Sequence, residues 1–206
     1  MLYCADCQIR NCTKKIGEEN LYPENCPSLS TEMELYLHEY GDALDRLIAV
    51  QSSICSLDHR ECRILKTIRF AKECGFKKLG LAFCITLAKE AHEVNKILRN
   101  EGFQVESVIC KVGHVNRDML GLESCVPMCN PIAQAEMLNR AGTELNILLG
   151  LCVGHDSLFI RHSKAPVTIL AAKDHVYDNA PLRYLEEESI NKPNSLHTEV
   201  SVDNIL

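Results

Sequence analysis

An α/β fold is predicted for this chain: a three-layer sandwich on a four-stranded parallel sheet in the order 2-1-3-4. Three observations predict it. Four short apolar runs, 77–84, 103–110, 145–152 and 166–172, are nearly continuous in hydrophobic residues, as strands covered on both faces must be. Helical patterns closed by glycine separate them, which gives βαβ spacing and right-handed crossovers. The first and third runs read alike, G-L-A-F-C and L-L-G-L-C, each followed by a helix. With the second strand on one side of the first and the third on the other, the chain reverses at a topological switch point.

Residues 1–30 precede the fold as a cysteine-rich metal-binding segment, 31–185 form the α/β domain, and 186–206 are a polar tail without periodicity. The first segment has no helical or alternating pattern. It carries Cys4, Cys7, Cys12 and Cys26 in the spacing C-x2-C-x4-C-x13-C. A loop-rich stretch of this length needs a staple, and a C-x2-C pair lets two thiolates reach one ion from a tight turn. Zinc and a [4Fe–4S] cluster both suit such a set; free thiols on an arm are the plain alternative.

Thr31-x-x-Glu34 is a capping box that opens a helix to about Val50. Asp58-x-x-Glu61 opens a second through Ala71, ended by Gly75. Cys55, Cys62 and Cys74 read there as small buried hydrophobes. After the first strand Thr86 caps a helix through Leu98, closed by Gly102. After the second, residues 111–129 make a long loop with His114, Cys125 and Cys129. Asn130 and Pro131 then start a helix in the preferred way, with Gly142 ending it. A short helix over 156–161 follows the third strand.

The chain has 206 residues, enough to bury a core, with 46% hydrophobic and 24% charged residues. A net charge of -6 and 5% aromatics argue against nucleic acid as the main partner. No apolar run is long enough for a transmembrane helix, and M-L-Y-C-A-D-C is no signal peptide, so a cytoplasmic protein is expected. In that reducing compartment the 12 cysteines are core thiols, metal ligands or reactive groups rather than disulfides. So many thiols also fit an anaerobic source. No GxGxxG or Walker sequence supports a nucleotide cofactor.

Ligands of open α/β sheets bind outside the carboxyl ends of the strands. Cys84, Cys110 and Cys152 close three of the strands, and Cys125 and Cys129 lie on the loop that delivers a helix. Five cysteines therefore gather on one rim. Helix N-termini lower thiol pKa values, and Cys129 is best placed for that. Such a cluster can hold zinc or a [4Fe–4S] cluster, with Cys84, Cys110, Cys125, Cys129 and Cys152 as ligands, or supply nucleophiles. Against this stands the common use of cysteine as a buried residue. Cys152, His155 and Asp156 form the candidate catalytic set. His155 serves as acid, base or ligand, and Asp156 orients it or caps its own helix. Lys173, on the same rim, can attract a small anionic substrate.

The chain resembles an uncharacterised group of prokaryotic cysteine-rich proteins described as metal-binding and of unknown function. The resemblance rests on the N-terminal cysteines, G-L-A-F-C (80–84), C-K-V-G (110–113), C-N-P-I-A-Q-A (129–135) and G-L-C-V-G-H-D-S-L-F (150–159). It implies metal binding and supplies no reaction. The family's K-D-R and H-N-P after the final strand are replaced here by K-D-H-V-Y-D-N-A-P (173–181). Two functions are thus expected: an iron–sulfur or zinc protein performing redox or sulfur chemistry at the rim, or a non-catalytic carrier or sensor of a soft metal.

Overall fold

A computed structural model describes residues 4–15, 22–123 and 125–188. The chain divides into two compact units, Met1–Arg60 and Glu61–Leu206.

In the first unit, short 3-10 turns occupy Cys4–Asp6, Asn11–Thr13 and Pro27–Leu29. Two helices follow where one is predicted: α1, Met33–Glu39, and α2, Ala43–Ser56. Asp42 causes the break. Its Oδ1 accepts the amide protons of Leu44 at 2.9 Å and Asp45 at 3.0 Å, which caps a new helix instead of prolonging the old one. The predicted capping box makes no side-chain cap at the start of α1.

The second unit begins with α3, Arg63–Glu73, later than the Asp58 box predicts. Asp58 is turned onto the backbone N–H of Arg60 at 3.0 Å and its Nε at 3.2 Å. The strands are β1 (Lys78–Phe83), β2 (Gln104–Ile109), β3 (Leu145–Leu149) and β4 (Val167–Ala171). All pairings are parallel and the order is β2-β1-β3-β4, as predicted. Helices α4 (Ala88–Asn100), α5 (Pro131–Ala141), α6 (His155–His162) and α7 (Arg183–Glu188) complete the unit. The predicted polar tail thus starts inside α7, and 189–206 lie outside the described residues.

Right-handed crossovers that step from β1 to β2, and from β2 back past β1 to β3, place α4 and α5 on opposite faces. The α5 face holds a cluster of Ala82, Cys84, Val108, Cys110, Leu148, Ala135, Leu138 and Phe159. Period-two alternation along the strands therefore puts Cys84 and Cys110 on that face. Gly80 shares it. A Cβ there would stand 2.0 Å from Asn146 Oδ1 and 2.9 Å from a Leu138 methyl, so β1 accepts α5 and Asn146 only with glycine. Asn146 is fully buried, bonded to the Thr143 hydroxyl and Ser163 Oγ at 2.8 Å each. At the β4 edge Arg63 Nε donates to the Ile169 carbonyl at 2.6 Å, occupying an acceptor that an unpaired edge would expose.

The strand boundaries matter for the rim. β3 ends at Leu149, short of the predicted Cys152, because Gly150 turns the chain at φ 64. Cys152 therefore stands in the turn that leads to α6. Among the described residues no helix is long and apolar enough to cross a membrane.

Candidate functional site

Phe83 and Ile109 are register partners, so the next residues, Cys84 and Cys110, leave adjacent strands side by side. Both are buried, 5% and 3% exposed. The chain after Cys84 makes a 3-10 turn, Ile85–Leu87, whose amides face the sulfurs. Ile85 N–H donates to Cys110 Sγ at 3.3 Å, and the Thr86 hydroxyl donates to Cys84 Sγ at 3.3 Å. Thr86 is therefore not the helix cap its position predicts: α4 starts without a side-chain cap, and Thr86 serves the thiol. Lys173, from beyond β4, hydrogen-bonds the Thr86 hydroxyl.

Cys129 reaches the same place from the loop. Asn130 N–H donates to the Cys110 carbonyl at 2.8 Å, which ties the start of α5 to the end of β2. Asn130 Oδ1 caps α5 through Ala133 N–H at 3.0 Å, as predicted. Cys84 and Cys110 share one buried cluster and Cys129 packs against it. Cys110 is close enough to both neighbours, and Cys129 to His155, for each to shift the other's titration. The result is a chain of contacts, Cys84–Cys110–Cys129–His155, drawn from four segments.

Electrostatics divide the roles. The Cys110 S–H beside it holds Cys129 down to about 4, helped by the His155 hydrogen bond and the charge of Lys111. Cys84 is held down to about 5, first by Cys110 and then by Thr86 and Lys173. Cys110 is pushed up, since it donates toward both neighbours and is buried. Its single proton cannot serve both fully at once, so the three sulfurs titrate as a group. The Cys129 hydrogen bond raises His155, favouring imidazolium. Cys152 is raised, first by burial and then by the negative charges of Cys84 and Cys129, so it is a thiol.

Of the candidate rim residues, the structure brings together Cys84, Cys110, Cys129 and His155, with Cys152 close enough to feel their charge. Cys125 is exposed and lies outside this chain of contacts. Asp156 Oδ1 accepts from Gly154 N–H at 3.1 Å and Ser157 N–H at 2.7 Å, so it organises the turn into α6. His114 is exposed, at φ 46 in the loop. In the N-terminal segment Cys4 and Cys12 are exposed and Cys7 and Cys26 partly so. Cys7 is lowered by the backbone N–H of Arg10, which lies 3.5 Å from its sulfur. Among the described residues no group of three or more His, Cys, Asp or Glu side chains is arranged to hold a metal ion.

Sequence reasoning missed Gln134. It is 0% exposed, and its Nε2 donates to the Val108 carbonyl at 2.7 Å and the Phe83 carbonyl at 3.3 Å. It thus clamps β1 to β2 at Phe83, just before Cys84, and at Val108, two residues before Cys110. Its Oε1 is buried without a partner. The available signal was a polar residue at a core-facing position of an amphipathic helix, between Pro131 and Leu138.

Among known proteins, the uncharacterized protein MJ0455 of Methanocaldococcus jannaschii is 46% identical to this chain over 122 residues. That match takes in 57% of this chain and 63% of the relative, so the chain covers less than two thirds of that protein's length. The family model described as "Protein of unknown function (DUF1847)" matches residues 26–170, which include every member of the rim cluster. The cysteine-rich chain organised around this sheet rim belongs to the DUF1847 family, whose function is unknown.

Proposed function

We propose that the carboxyl rim is a thiolate reaction centre and that the protein is an enzyme of redox or sulfur chemistry. One observation carries the reading: buried Cys84 and Cys110 leave adjacent strands side by side with the partly exposed Cys129 packed against them, an arrangement that favours thiolates at Cys84 and Cys129. Cys129 is the nucleophile because it is partly exposed and meets His155. His155 supplies a proton to a leaving group. Cys84 receives the Cys110 proton, and Cys152 lines the same rim as a neutral thiol. Lys173 and Lys111 give the rim a positive surround that suits a small anionic substrate.

The donor chemistry supports a second reading, a soft-metal site. Thiols of Cys84, Cys110, Cys129 and Cys152 with the His155 imidazole fit zinc or a [4Fe–4S] cluster in kind, and these residues would hold it. When bound, such a group supplies Lewis acidity or electron transfer. A closed four-thiolate site would make the protein a carrier or sensor; an open position would retain the enzyme reading. We also propose Cys4, Cys7, Cys12 and Cys26 as a structural zinc or cluster site, on their spacing alone.

The test is an anaerobic preparation analysed in two ways. Limiting iodoacetamide at mildly acidic pH, followed by peptide mapping, should label Cys129 ahead of the more exposed Cys4, Cys12, Cys62 and Cys125. Labelling that simply follows exposure refutes the thiolate centre. Zinc, iron and sulfide contents of the parent, Cys129→Ser and Cys152→Ser decide the metal reading; unchanged contents in both variants remove the rim as a metal site.

A further inference from the structure

We propose that Cys129 and Cys110 are a redox-active dithiol that reduces a small-molecule disulfide, Cys129 attacking and Cys110 resolving. The inference deepens the thiolate-centre reading and rests on it. The geometry assigns the two roles. Cys129 is partly exposed, so a substrate can reach it, while Cys110 is 3% exposed and can meet only a group already on its neighbours. Cys129 packs against the buried cluster that holds Cys110 and Cys84. Two further contacts hold the pair in place: Asn130 N–H on the Cys110 carbonyl at 2.8 Å, and Gln134 Nε2 on the Val108 carbonyl at 2.7 Å. His155 lies on the outer side of Cys129 and Cys84 on the inner side of Cys110.

The steps balance. Cys129 thiolate attacks one sulfur of the substrate; the substrate S–S bond breaks and a Cys129–substrate bond forms. The departing thiolate takes a proton from His155. Cys110 then passes its proton to Cys84 and attacks Cys129 Sγ. A Cys110–Cys129 bond forms, and the second substrate thiolate leaves with the proton held by Cys84. The substrate gains two electrons and two protons; the dithiol supplies the two electrons and the Cys110 proton, and His155 supplies the second proton. Two equivalents of an external thiol return the protein to its reduced form by the reverse exchange, leaving as their disulfide and giving back the two protons. The remaining thiol, Cys152, is a neighbour with no proton-transfer contact in this scheme.

The experiment uses the full chain, reduced and held anaerobically, with an equimolar aryl disulfide whose released thiolate is coloured. The parent should release both aryl thiols at the rim, keep no aryl adduct on Cys129, and show a Cys110–Cys129 bridge on peptide mapping. Cys110→Ser and Cys110→Ala should trap the aryl group on Cys129 and release only the first thiol. If Cys129 reacts first but the parent retains the adduct and no bridge to Cys110 forms, the dithiol is overturned while the thiolate centre stands. If Cys129 reacts no faster than Cys4 or Cys12, both fail. Mapping in the parent needs no variant, so a poorly folded Cys110 variant does not blunt the test.

Discussion

Replacing Gln134 separates two energies at one buried side chain. Its Nε2 makes two hydrogen bonds to strand carbonyls, at 2.7 and 3.3 Å, while its Oε1 has no partner. Removing the amide forfeits about 0.5–1.5 kcal/mol per hydrogen bond, and removing the orphan oxygen recovers roughly 1–3 kcal/mol of unmet desolvation. The Phe83 carbonyl keeps the Cys110 N–H at 2.9 Å, and the parallel pairing of Phe83 with Ile109 keeps the Val108 carbonyl in the strand ladder, so neither carbonyl is left bare. Gln134→Met should therefore cost less than about 2 kcal/mol. Gln134→Glu differs in kind. A carboxylate has no donor and would face two carbonyls in a fully buried place, at a cost of about 3–5 kcal/mol. Its folded-state pKa is then raised above the unfolded value, so the folded form binds the extra proton. The penalty is small below about pH 4, grows as pH rises from the unfolded value toward the raised one, and levels off above it. Urea denaturation at acidic and neutral pH, with unchanged m, measures both variants. Glu tolerated as well as Met at neutral pH would show that Gln134 does not clamp the strand ends.

Four further outcomes follow from the same structure. Gly80→Ala should destabilise by about 1–3 kcal/mol, because the Asn146 amide is fixed at both ends, Oδ1 accepting from Thr143 and Nδ2 donating to Ser163, and cannot retreat from a new Cβ without disturbing these bonds; a shift in the urea midpoint reads it. Asn130→Ala removes the cap of α5 and should cost about 1 kcal/mol by the same assay. Alkylation of Cys129 should be nearly flat in rate above about pH 5, whereas an ordinary thiol gains about tenfold per unit up to its pKa near 8.5. His155→Gln should move the Cys129 inflection upward. His155 is raised when folded, so its stabilisation is present below its ordinary value and lost as pH rises through the raised one. The variant should accordingly lose more stability at pH 6 than at pH 9, and equal losses would contradict the pairing.

How far the sequence reached is seen best at the strands. Continuous apolar runs separated by glycine-closed helices specify a parallel sheet strongly, and the repeated apolar–Cys ends locate its reversal, so the order β2-β1-β3-β4 was legible. The α5 boundaries were legible for a similar reason: Asn130, Pro131 and Gly142 are local signals that act through backbone geometry. The Thr86 cap was misread because the hydroxyl's partners are decided by the folded surroundings, here Cys84 Sγ and Lys173. The site was legible as a rim and not as an arrangement. Cys110, one of five expected rim ligands, is the centre of the contacts, because register brings it beside Cys84. Cys125, another of the five, is exposed on a loop that no sequence pattern constrains. Gln134 escaped because it holds backbone carbonyls, which leave no trace in side-chain spacing.

The central claim is that Cys84 and Cys129 are thiolates in the folded protein at neutral pH while Cys110 keeps its proton. Thiolate ultraviolet absorbance, recorded anaerobically on the reduced parent and on a Cys84→Ser/Cys129→Ser double variant, tests it most directly. The difference between them should equal two thiolates per chain at neutral pH and vanish only as pH falls through about 5 and 4. Equal absorbance at neutral pH, with a difference appearing only near the ordinary thiol range, would contradict the claim.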